Sequence, residues 1–210
     1  MTISATSKGL KPGVCTSTNR PANPYDGMMI YETDTNLVRI WNGTAWKTLS
    51  YSDYTSGSII QLTSVTKTDT FTASTTTYTD ITGMSASITP TSSSSKVFVL
   101  VNIQGANNVD VDTATMRLMR DSTAIALGDT AGSRVVGTAA LSGGADPNVM
   151  ATNSFSFLDS PATTSATTYK VQGRSNQTAA AFFINRSRFD TDGTVAVRGV
   201  STITLMEIAG

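Results

Sequence analysis

Acid–base chemistry in this chain would have to come mainly from carboxylates, because the sequence contains no histidine. Ser-His-Asp and Cys-His nucleophile activation, and most catalytic zinc arrangements, need an imidazole, so those routes are closed. The lone Cys15 excludes an intramolecular disulfide framework and a four-cysteine zinc module. Glycoside hydrolysis needs only two carboxyl groups about 5 to 9.5 Å apart and stays open in principle. The only two glutamates, Glu32 and Glu207, sit near opposite ends of the sequence, so pairs of aspartates would have to serve. Asp110-Val-Asp112 and Asp190-Thr-Asp192-Gly193 have a spacing that could present oxygens to calcium. Neither continues into the ligand series and closing glutamate of a calcium loop, and an Asp-Gly hairpin turn at Asp192-Gly193 accounts for the second without an ion. These acids are expected to be solvated turn residues. No catalytic, cofactor-binding or metal-binding residue is assigned, no cofactor is expected, and the chain is read as a non-enzyme.

The other side chains with binding potential are arginines and aromatics. Arg117, Arg120, Arg134, Arg174, Arg186, Arg188 and Arg198 lie on or beside strand signals. They are read first as solvated or salt-bridged strand faces. The alternative is pairing between subunits, which the planar guanidinium suits. Trp41, Trp46 and Tyr31 could stack on sugars, although packing is the commoner fate of such residues.

The elements that would position these residues are strands. Hydrophobic residues make up 39% and charged residues 14% of the 210, and Ser and Thr abound, which suits sheets with one face buried and one wet. From Met1 to about Pro24 the chain is aperiodic, and Pro12, Pro21 and Pro24 argue against a helix, so an extended arm is expected. Strand signals follow at 28–32, 37–41 and 45–49, the last two joined by a turn containing Asn42-Gly43. They predict a small three-stranded meander with Ile30 or its neighbours, Val38, Ile40 and Trp46 on one face. Residues 50–58 have linker composition, which places the boundary near Thr55. Two domains are expected, 1–55 as the arm and meander and 56–210 as a β-sandwich.

Within the second domain strands are expected at 59–65, 69–73, 84–88, 96–103, 114–119, 153–158, 168–173, 181–185 and 200–208. The nearly continuous apolar run Lys96-Val-Phe-Val-Leu-Val-Asn-Ile103 reads as a central strand. Residues 132–148, with Gly137, Gly143, Gly144 and Pro147, read as a long loop of the kind that carries recognition. The fold class is all-β: an N-terminal extended arm and small three-stranded meander, followed by a jelly-roll-like β-sandwich.

Lys plus Arg and Asp plus Glu balance at 15 each, so no global field attracts a polyanion and nucleic acid is not an expected partner. No run approaches the roughly 18 to 20 apolar residues of a membrane span, and the first ten residues lack the apolar core of a signal peptide. Neither membrane insertion nor secretory export is expected.

Two stretches resemble known virion proteins. Arg20-Pro-Ala-Asn-Pro-Tyr-Asp-Gly-Met-Met-Ile-Tyr-Glu-Thr-Asp-Thr-Asn36 and Leu37-Val-Arg-Ile-Trp-Asn-Gly-Thr-Ala-Trp46, within 16–49, are similar to a segment of tailed-phage fibres and head-surface proteins. Residues 70–103, with Tyr78-Thr-Asp-Ile81 and the stretch 90–101, resemble β-sandwich domains of such proteins in marine and cyanobacterial phages. The resemblance implies a homotrimeric component of the virion surface, made in the host cytoplasm. Its arm and meander would bind other virion proteins of the capsid or tail, with the sandwich facing outward. The motifs carry no catalytic residues across. Long fibres have an extended shaft that this chain has no room for, which favours a capsid cement or decoration protein, or a short fibre. The rivals are a receptor- or glycan-binding fibre tip, with 132–148 as its contact loop and a host surface glycan as ligand, and a polysaccharide depolymerase. Addition of calcium is expected to leave the thermal unfolding midpoint unchanged; a rise in midpoint with calcium would make Asp190 and Asp192, or Asp110 and Asp112, ion ligands.

Overall fold

A computed structural model describes residues 12–49, 56–108, 113–142 and 146–210. The first eleven residues of the expected arm, the linker stretch 50–55, Asp110 and Asp112, and 143–145 of the expected loop lie outside the described residues. Contacts divide the chain into two units, Met1–Tyr54 and Thr55–Gly210. Among the described residues both are built of strands, with no helix.

In the first unit the three expected strands form as β2 (Met29–Glu32), β3 (Leu37–Trp41) and β4 (Trp46–Thr48), paired antiparallel in that order. A fourth strand, β1 (Gly13–Cys15), lies parallel to β2 on its free edge. A parallel partner within one sheet needs a crossover of a dozen or more residues, and 16–28 supplies it. Part of the expected arm is therefore a sheet strand. The face assignment also changes. Trp41 pairs with Trp46, and Ile30 with Arg39, so Ile30, Arg39, Trp41 and Trp46 share one face while Val38 and Ile40 occupy the other. The four-residue loop 42–45 sets this register: the Asn42 side chain accepts hydrogen bonds from the Thr44 and Ala45 amides at 3.2 and 2.9 Å, making a turn longer than a two-residue hairpin.

The second unit is a sandwich of two antiparallel sheets. One contains β5 (Ile59–Lys67), β15 (Ser201–Ile208), β8 (Lys96–Asn107), β14 (Phe182–Ile184) and β6 (Phe71–Ala73), in that order. Its sixth strand, β12 (Ala151–Asp159), pairs with β8 along Val97–Gly105, while β14 continues the same edge from Gly105 to Asn107. The other sheet runs β10 (Thr123–Ile125), β9 (Thr113–Arg120), β13 (Thr167–Ser175), β7 (Thr79–Ile88), with β11 (Ala139–Ser142) also paired to β9. The run at 96–103 is the middle of the first sheet, as expected.

The core follows from period-two alternation. Val97, Val99, Val101 and Ile103 of β8 and Ile203 and Leu205 of β15 face Met84, Ala86 and Ile88 of β7, Met116 and Leu118 of β9, and Val171 of β13. In β7 the alternation breaks: Ile81 and Met84 are three residues apart, yet both are buried. The register with β13 shifts at this point, from Ser85 opposite Lys170 to Asp80 opposite Gln172, and Gly83 adopts φ +83°, so an irregular bulge takes up the additional β7 residues. That bulge explains why the strand begins at Thr79 rather than at Met84. The expected long loop at 132–148 is interrupted by β11, whose Leu141 is fully buried in the core. Two of the four residues of β11 are alanine, a weak strand former, so tertiary pairing with β9 overrides local propensity.

Two features lock the layers. At the β8–β14 crossing a Cβ on Gly105 would lie 2.2 Å from the Phe183 carbonyl, so only glycine lets the backbones approach. Between the sheets, Asp159 at the end of β12 accepts from Arg120 Nη1 at both carboxylate oxygens, each at 2.9 Å, and from the Tyr169 hydroxyl at 2.6 Å. Burial, reinforced by the Asp159 carboxylate, pushes the Tyr169 hydroxyl pKa well up, so it stays a proton donor.

Tyr169→Phe leaves one bond of a buried carboxylate unmade and is expected to lower stability by about 1–3 kcal/mol. Gly105→Ala is expected to be worse, because the clash is with backbone. Urea unfolding followed by far-ultraviolet circular dichroism measures both, and a Gly105→Ala midpoint equal to wild type would contradict this packing.

Candidate functional site

The most densely bonded polar site of the N-terminal unit is built around Glu32. Alternation in β2 turns Ile30 and Glu32 to the same face, where Glu32 is fully buried. A buried carboxylate must be compensated, and three groups do so. Arg20, from the crossover, donates from Nε to Oε1 at 2.5 Å. Arg39, from β3, donates from Nε to Oε2 at 3.2 Å, and Thr35 donates its hydroxyl to Oε2 at 2.8 Å. Arg39 also donates to the Thr48 hydroxyl, which joins β4 to the network. The Arg20 guanidinium, aided by Thr35 and Arg39, holds the Glu32 carboxyl below its ordinary value of 4.5 against the opposing effect of burial.

A second staple lies nearby. The Ser17 amide and hydroxyl donate to the two Asp34 oxygens at 2.9 and 2.5 Å, which lowers the Asp34 pKa, and the Thr33 amide donates to the Cys15 carbonyl at 2.9 Å. Residues 13–20 are thus fixed to the meander by backbone pairing and two carboxylates. Trp41 and Trp46 pack edge-on at 5.6 Å and 63°. Tyr31 lies on the opposite face and donates to Asn36 at 2.9 Å, so the three aromatics do not form one sugar-stacking platform.

Glu207, the other glutamate, lies in the second unit and is fully buried. Burial alone would raise its pKa, but hydrogen bonds from the Gln61 amide and from the Thr91 hydroxyl and backbone amide outweigh it and hold the carboxyl below its ordinary value. Each glutamate is committed to its own cage.

Most of the expected arginine contacts are made within the chain. Arg117 donates to Gln172 at 2.8 Å and covers the Tyr78 ring at 4.0 Å; Arg120 serves Asp159; Arg134 reaches the Ala131 carbonyl. Arg174 bonds the Ser175 carbonyl, Arg186 lies over Phe183, and Arg188 lies over Phe189. Arg198 donates to Asp190 at 2.8 Å, with Arg186 3.7 Å from the same oxygen. Asp190 is therefore occupied by guanidinium groups. The expected Asp192-Gly193 hairpin is also displaced: the Arg186–Arg198 bridge closes a wider excursion, whose turn bond runs from the Ala196 amide to the Gly193 carbonyl at 3.2 Å. Among the described residues no group of three or more Cys, Asp or Glu side chains could hold a metal ion.

On the sandwich, a shallow concavity of about 320 Å³ is lined by Thr113, Thr115, Arg134, Val135, Thr138 and Asn176. The Asn176 amide is fixed between the Thr113 and Thr115 hydroxyls, both at 2.9 Å. Hydroxyl, amide and guanidinium groups meet here beside the 132–148 segment.

Residues 1–89 match the family model described as "phage tail like trimerisation region". The chain resembles tailed-phage virion proteins. The matched stretch takes in the whole Glu32 network, and all of β5, β6 and β7. No curated protein matches the chain. Among solved structures, the VP2 subviral particle of infectious bursal disease virus matches at 13% identity and a TM-score of 0.29. That match covers 80% of this chain and 41% of the VP2 chain, so the protein spans about two fifths of that length.

The sign of the Glu32 shift fixes an acid response. A depressed carboxyl contributes stability that is fully present above its unfolded value and is lost as pH falls through the folded value. Both tryptophans of the chain lie in this unit, so tryptophan fluorescence reports it alone. The emission is expected to hold down to about pH 4.5 and to shift below it as Glu32 and Asp34 are protonated. Glu32→Gln, read by the same emission, is expected to unfold at lower urea at pH 7 and to lose the Glu32 part of that acid response; unchanged urea and acid curves would remove the clamp from the account.

Proposed function

We propose that the protein is a homotrimeric, non-enzymatic structural component of a tailed-phage particle, exposed at the virion surface as a capsid cement or decoration protein or a short fibre. The match of residues 1–89 to a trimerisation region carries this reading. In mechanism it is a binding protein. Residues 13–20, clamped to the meander, present a preordered sheet to the other virion proteins, which reduces the ordering entropy lost on attachment. Three copies joined together multiply weak contacts to the particle by avidity. The jelly-roll-like sandwich faces outward.

A receptor- or glycan-binding fibre tip is the second reading, favoured by the polar concavity at Thr113, Thr115, Arg134 and Asn176. Light scattering of the purified full chain is expected to give three times the 22.0 kDa chain mass, and a single-chain mass at all concentrations would contradict the trimer. Gold labelling of virions then separates the roles: label on the capsid lattice supports decoration, label at the tail supports a fibre or tip, and unlabelled particles sink both. Incubation with host capsule is expected to leave its chain length unchanged, whereas shortening would make the protein a depolymerase.

A further inference from the structure

The outer face of the six-stranded sheet is mostly hydroxyl-bearing, with Ser64, Thr66, Thr202, Thr204, Ser154 and Ser156 in cross-strand rows. One row differs. The register aligns Leu62 of β5, Met206 of β15, Phe98 of β8 and Leu158 of β12 side by side across four strands. At the usual strand spacing the row is about 14 Å long. Leu62 is 58% and Leu158 48% exposed, and Met206 and Phe98 between them are half-buried. Leu100 flanks the row on one side at 39% exposure, and Ile59 on the other at 58%. Scattered surface leucines need no explanation, but large apolar side chains gathered at one end of a Ser/Thr face mark an interaction surface.

We propose that this stripe is where the sandwich of one copy of the chain docks against those of its neighbours, the three stripes converging about the threefold axis. The inference rests on the trimer reading above and names the surface it would use in the sandwich. Two observations select a second copy as the occupant. The stretch matching a trimerisation region runs to residue 89 and so includes β5, with Ile59 and Leu62 of the stripe. The stripe is also uncharged, and among the described residues of its strands only Lys96 carries a charge beside it on this face, across from Ile208. Identical surfaces that meet at a symmetry axis bring like groups together, which is unfavourable for charges and favourable for leucine, methionine and phenylalanine. The row is too small to be a whole interface of about 800 Å² per partner, so it adds to the contacts of the N-terminal segment.

The test is dilution of the full chain, with oligomer mass followed by light scattering, for wild type and for the double variant Leu62→Ser/Leu158→Ser. Both positions are about half exposed, and serine and threonine already dominate this face. The variant is expected to dissociate at about a hundredfold higher concentration, the scale implied by losing two leucine contacts per copy. A wild type that is monomeric throughout defeats the trimer and this inference together. A trimeric wild type whose variant dissociates within about twofold of the same concentration overturns the stripe and leaves the trimer standing. Hydroxyl-radical footprinting of the wild-type trimer decides if the variant fails to fold: Leu62 is expected to be labelled more slowly than Val195, which is 65% exposed. Labelling of Leu62 at least as fast as Val195 overturns the inference. A protected stripe with unchanged dissociation overturns it too.

Discussion

The strict period-two alternation of β8 is the constraint on which the sandwich depends. Its inward set, Val97, Val99, Val101 and Ile103, is fully buried and meets both neighbouring strands and the opposite sheet. The outward set contains Phe98 and Leu100, then Asn102 and Gln104. A slip of one residue would exchange the two sets, placing an asparagine and a glutamine in the core. The register is therefore well determined, and it fixes everything aligned with it. Met206 and Leu158 stand beside Phe98 because β15 is registered on β8 by buried Ile203 and Leu205, and β12 by Phe155 and Phe157, which pack against the core.

The N-terminal unit solves a different problem. A four-stranded sheet of short strands buries little apolar surface, and only Ile30 and Glu32 of its strands are fully enclosed. Polar closure supplements that core. Glu32 draws Arg20, Thr35 and Arg39 together, and removing any one partner would leave a buried charge poorly compensated. Such a network specifies geometry as much as it stabilises. It holds residues 13–20 against β2 in one register.

Much of this was legible from residue order. Runs of β-branched and aromatic residues bounded by turn residues marked twelve of the strands, and the apolar run at 96–103 marked the central one. What escaped had physical causes. The first half of β7 was hidden by the bulge at Gly83, which replaces period two with a spacing of three. The strands β1, β10 and β11 are too short to show a period, and exist because β2 and β9 offer free edges. The clamp was invisible because Arg20, Thr35 and Arg39 meet Glu32 only through the parallel crossover and the β2–β3 register. The same holds for the outer stripe, whose four residues are scattered from 62 to 206 and become a row only once four strands are aligned. The absence of histidine, by contrast, bounds the acid–base chemistry through composition alone.

Preordering of a trimerising segment and convergence of the sandwich stripes are two parts of one claim: that three copies assemble about a common axis with the outer face of the six-stranded sheet turned inward. A single-particle reconstruction of the purified full chain tests this most directly. Threefold symmetry is expected, with Leu62, Phe98, Leu158 and Met206 enclosed between copies. A particle without a threefold axis, or a trimer with that face open to solvent, would contradict it.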